Sequence, residues 1–78
     1  KFMTLEDKIK QTMTDVENTS SEEILEIITQ IVPHFRSELT SDYLQGKIQK
    51  IRNESDESEK KKQCLTLIPY FEWYLQGL

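Results

Sequence analysis

Residues 22–35 constrain the fold more than any other stretch. Ile24, Leu25, Ile27, Ile28, Ile31, Val32 and Phe35 lie in it. At a helical 100° per residue these seven side chains cover an arc of about 160°. A stripe that wide belongs to a helix packed on several sides, so the rest of the chain reads as its cover. With 78 residues the chain makes one small domain, 1–78. The other segments therefore have to present apolar stripes of their own, or a partner has to help.

Three further segments do so. The first, over about 5–17, starts at Thr4 as N-cap with Asp7 three residues on, an acidic variant of the capping box. Its stripe is Leu5, Ile9, Met13 and Val16. The turn Asn18-Thr19-Ser20 follows, and Ser20 with Glu23 caps the second helix, 21–35. Pro33 interrupts that helix because its ring opposes the Thr29 carbonyl and it has no N–H to donate. The apolar phase continues to Phe35, which predicts a kink or a short new turn at Pro33. The third helix is predicted over 41–53 from a start at Thr40, with Leu39 and Leu44 as a hydrophobic staple. Tyr43, Leu44, Ile48 and Ile51 form its apolar face. Gly46 inside it either permits a close helix contact or is a tolerated surface defect. The fourth helix is predicted over 56–76, kinked at Pro69, with Cys64, Leu65, Leu67, Ile68, Phe71, Leu75 and Leu78 in its stripe. Asp56 with Lys60, and Glu57 with Lys61, are spaced for ion pairs along it. The expected fold is all-α: a compact four-helix bundle, or two αα-hairpins.

The hairpin alternative rests on an internal match. Ile31-Val32-Pro33-His34-Phe35 aligns with Leu67-Ile68-Pro69-Tyr70-Phe71 at an offset of 36 residues. In period and in its helix-pair character this resembles HEAT- and armadillo-type repeats, without their diagnostic residue pattern. The resemblance implies a repeat pair that closes into a four-helix bundle or is one piece of a longer array; the alternative is two amphipathic helices that happen to use the same residues. The abrupt end at Gly77-Leu78 favours reading the chain as part of a longer protein.

Charge and composition narrow the function. Net charge is −4, and all of it sits in residues 1–39, where eight acids face four bases. Duplex phosphates would be repelled by that half, so nucleic acid is disfavoured as a partner. A single cysteine, Cys64, excludes an internal disulfide and suits a reducing, intracellular compartment such as cytoplasm or nucleus. No apolar run approaches membrane-spanning length. Asn18-Thr19-Ser20 and Asn53-Glu54-Ser55 fit the glycosylation pattern but read as ordinary turn chemistry. There is no Gly-rich phosphate loop, no nucleophile elbow and no ligand spacing for a metal. His34 and Cys64 are the sole members of their types. A thiol inside an apolar stripe stays protonated and inert, so no enzyme and no cofactor are expected.

Two surface features remain. On a straight fourth helix Trp73 points opposite Cys64, with Tyr70 and Tyr74 between it and the apolar stripe. Exposed Trp and Tyr anchor protein interfaces, which makes Tyr70, Trp73 and Tyr74, with His34, a candidate protein-binding face. The competing reading folds these rings back against Phe2, Met3 or the first helix. Lys47, Lys50, Arg52, Lys60, Lys61 and Lys62 form a candidate basic patch for phosphate or an acidic partner, or else a solvated face paired with Asp56, Glu57 and Glu59. The leading expectation is a non-catalytic protein–protein interaction or scaffold module of a larger intracellular protein, binding another protein or itself. The alternatives are a nucleic-acid accessory domain using the lysines, and a small acidic inhibitor or immunity-type protein binding through Glu17, Glu22, Glu23 and Glu26.

Overall fold

The computed structural model describes residues 3–77, and the described residues are helical or connecting, with no strand among them. Among the described residues there are five α-helices: α1 (Leu5–Thr14), α2 (Ser21–Ile31), α3 (Glu38–Arg52), α4 (Glu57–Leu65) and α5 (Ile68–Leu75). Short 3-10 turns at Val16–Asn18 and Val32–His34 end α1 and α2. The predicted fourth helix is thus α4 and α5, joined end to end through Thr66 and Leu67. The fold is a small helical bundle, 33 × 32 × 19 Å, which is about two helix diameters thick.

Local chemistry sets the boundaries. At α1, the Thr4 hydroxyl accepts from the Asp7 N–H at 3.1 Å and the Asp7 carboxylate accepts from the Thr4 N–H at 3.3 Å, a complete capping box. At α2, Ser20 Oγ accepts from the Glu23 N–H, while Glu23 Oε1 takes the Ser20 hydroxyl proton instead of the backbone N–H. Pro33 lies in the first turn of a 3-10 segment that starts where α2 stops, so the chain makes a new turn there rather than a smooth bend. Pro69 is tolerated in the first turn of α5, where its missing N–H has no helical partner to lose. The interruption itself falls two residues earlier, at Leu67.

α3 begins earlier than the sequence suggested. Ser37, not Thr40, is the N-cap, with its hydroxyl accepting from the Thr40 N–H at 3.2 Å. Leu39 is therefore inside the first turn and 82% exposed, and the expected Leu39–Leu44 staple is not formed.

α2 occupies the centre and packs on α1, α3, α4 and α5; α1 also meets α5, and α3 meets α4. Six of the seven apolar side chains of its segment are buried: Ile24, Leu25, Ile27, Ile28, Ile31 and Val32. Phe35 is half-buried against that core. Ile9 of α1, Leu44, Ile48 and Ile51 of α3, Cys64 of α4, Leu67, and Phe71 of α5 complete it. Two expected core members lie outside. Tyr43 is 55% and Leu65 40% exposed, because each sits 100° around its helix from a buried neighbour, Leu44 and Cys64, and the packed arcs are narrower than the apolar ones. Leu78 and Phe2 fall outside the described residues.

Candidate functional site

α5 is two-faced. Phe71, on one side, is fully buried, while Trp73, about 200° further round, is 47% exposed. Tyr70 and Tyr74 lie between, half-buried and packed on the core edge. The 3-10 turn after α2 brings His34 and Phe35 to the same end of the molecule. There His34 meets Tyr74 edge-on at 5.4 Å between ring centroids, Phe35 meets Tyr70 at 6.0 Å, and Tyr70 meets Trp73 at 5.2 Å. Each pair has the T-shaped geometry that the ring quadrupoles favour. The four residues singled out from sequence therefore form one surface, organised through Phe35 and Tyr70. Burial raises the Tyr70 phenol above its usual pKa, with a smaller push from Tyr43.

Three neighbours of this face were not anticipated: with Phe35, the residues Arg36, Ser37 and Thr40 border a shallow hollow of ≈ 230 Å³ beside Trp73. The signal was present in Ser37-Glu38-Leu39-Thr40, a cap-and-first-turn pattern that places the start of α3 against the aromatic end.

The two matching segments, Ile31–Phe35 and Leu67–Phe71 in the sequence, face each other here through Phe35 and Tyr70. They differ in conformation: one is a 3-10 turn running into extended backbone at Phe35, the other opens a helix.

The six basic residues do not gather into one patch. Lys60 pairs with Glu22 of α2 at 3.1 Å, its side chain only 12% exposed. Lys61 donates to the backbone carbonyls of Glu17, at 3.2 Å, and Thr19, anchoring α4 to the α1–α2 turn. Arg52 donates to Thr29 Oγ1 at 3.1 Å, and Lys62 lies 4.0 Å from Glu59. The expected Asp56–Lys60 and Glu57–Lys61 pairs are absent among the described residues, because Lys60 and Lys61 reach across to α2 and the preceding turn rather than back along their own helix. Lys47 and Lys50 stand apart on α3, along a larger hollow between α3 and α4. The acids of the alternative basic-target reading are divided too: Glu22 is engaged by Lys60, while Glu23 and Glu26 border a small hollow with Lys8.

Cys64 is fully buried, its thiol 3.7 Å from the Ser21 carbonyl. Burial pushes the thiol pKa up, against smaller opposing effects of Ser21 and Lys60. His34 sits with Tyr74 at the exposed end of the bundle. Among the described residues no three His, Cys, Asp or Glu side chains converge as metal ligands, and no helix is long and apolar enough to cross a membrane. Comparison with protein families, curated proteins and solved structures finds no match to this chain.

Proposed function

We propose that the domain is a non-catalytic protein-interaction module of a larger intracellular protein, and that Tyr70, Trp73, Tyr74 and His34 form its recognition face. The observation that carries this reading is Trp73: an indole 47% exposed yet held edge-on by Tyr70 at 5.2 Å. The Tyr70 contact restricts the indole before any partner arrives, so less side-chain freedom is lost on binding. Large, rigid, half-exposed aromatics at the centre of a patch are the residues whose truncation costs interfaces most. His34 and Arg36 supply polar groups at the margin, the usual arrangement of an apolar centre with a polar rim. A buried thiol of raised pKa supports the non-catalytic part of the reading, and an unpaired cysteine suits a reducing compartment.

The test compares wild type with Trp73→Ala in partner capture followed by a titration of the captured protein. Truncation is expected to weaken the complex by more than about 1 kcal/mol with the helical circular-dichroism signal retained. Self-association would show instead as a dimer in light scattering that the same substitution dissolves. Capture and affinity indifferent to Trp73→Ala would refute the site.

A further inference from the structure

α3 carries a second surface, separate from the aromatic end. Tyr43, Gly46, Lys47 and Lys50 follow the i, i+3, i+4, i+7 spacing of one helix face. That face borders a hollow of ≈ 580 Å³ between α3 and α4, with Gln63 and Thr66 opposite and Ile51 between. The volume lies in the range of built ligand sites.

Three observations bear on what fits there. Tyr43 is 55% exposed, and its ring lies 5.8 Å from the Lys47 ammonium, a cation–π contact that steadies it at the groove edge. Gly46 weakens the helix interior it occupies, yet no packing contact inside the fold requires it, since a Cβ there would meet nothing within 4 Å. Its consequence is a bare strip of backbone along the groove, which admits close approach by another chain. The third observation is charge. Among the described residues Lys47 and Lys50 form no ion pair, and Asp42 is the single acid bordering the hollow. Across the groove, Gln63 Nε2 donates to Glu54 and Thr66 Oγ1 donates to the Gln63 carbonyl, which leaves Gln63 Oε1 and Thr66 Oγ1 with acceptor capacity for backbone N–H groups.

We propose that this groove binds an acidic peptide segment. An apolar side chain rests on the Tyr43 ring and the bare backbone at Gly46, and carboxylates on either side of it meet Lys47 and Lys50. Lysine ammoniums favour the charge, the exposed Tyr43 ring favours a side chain over a free inorganic anion, and the acceptors of Gln63 and Thr66 favour a backbone.

Selection of short random peptides on the intact domain tests this. Enriched sequences are expected to carry Asp or Glu flanking an apolar residue, and a synthetic peptide of the winning sequence should lose affinity as salt rises. The Lys47→Glu/Lys50→Glu variant should weaken that peptide at least about tenfold. Gly46→Leu should do the same by filling the strip, while its better helix propensity keeps the domain folded. Trp73→Ala should leave it unchanged. Failure to select peptides, selected peptides without acidic residues, or acidic peptides indifferent to the groove variants would overturn the proposal. So would a peptide lost with Trp73→Ala alone, which places binding on the aromatic face, or a nucleic acid bound at Lys47 and Lys50 more tightly than any peptide.

Discussion

Adjacent residues in this chain have opposite fates, and a turn of 100° decides which. Leu44 is buried and Tyr43 is not; Cys64 is buried and Leu65 is not. Hydrophobicity places all four on apolar stripes in the sequence, but only the width of the partner helix fixes how much of a stripe is covered, and that width is a tertiary property. Cys64 shows the chemical side of the same fact. Burial holds its pKa above the ordinary 9.0, so the folded domain retains this proton to higher pH than the unfolded chain does. Its contribution to stability is therefore complete below about pH 9 and is lost as the pH climbs through the folded-state value. Tyr70, raised above 10.0 by burial, acts in the same direction. Stability is expected to be level with respect to these groups near neutrality and to fall in the alkaline range. The Cys64 thiol should react with a disulfide reagent at pH 8 no faster than the domain opens. Stopped-flow thiol labelling checks this, and prompt stoichiometric reaction of the native protein would contradict it.

Among the elements, helix starts were easier to read than helix interiors. Thr4 with Asp7 and Ser20 with Glu23 are cap signals that the fold uses where they stand. α3 is the exception, because its sequence offers two hydroxyl caps three residues apart, Ser37 and Thr40, and a leucine pair that favours the wrong one. The hydroxyl at Ser37 is the one that caps, accepting from the Thr40 N–H, and the helix begins at Glu38. Ser37→Ala is accordingly expected to lower stability by about 1 kcal/mol, and Thr40→Ala by a few tenths. Thermal denaturation of the two variants checks the order, and a larger loss at Thr40 would restore the later start. The prolines were legible as interruptions, but not in form: Pro33 introduces a 3-10 turn, whereas Pro69 sits harmlessly in the first turn of α5, behind a break at Leu67.

For the molecule as a whole, the wide stripe of residues 22–35 already implied a helix surrounded by others, and α2 is the element on which α1, α3, α4 and α5 pack. The aromatic end was partly legible. Trp73, Tyr70, Tyr74 and His34 were identifiable from side-chain type and helical phase, and the fold brings them together. Arg36 was not, because its place beside Trp73 depends on the path of the chain between α2 and α3. The basic residues were the least legible, since long lysine side chains reach acceptors distant in sequence, as Lys60 reaches Glu22 and Lys61 reaches Thr19. On the proposed reading α5 serves the core with one side and recognition with the other. Urea unfolding of Trp73→Ala, Phe71→Ala and wild type, followed by circular dichroism, separates the two sides. Phe71→Ala is expected to lose about 3–5 kcal/mol and Trp73→Ala no more than about 1 kcal/mol; equal losses for the two variants would rule out that division.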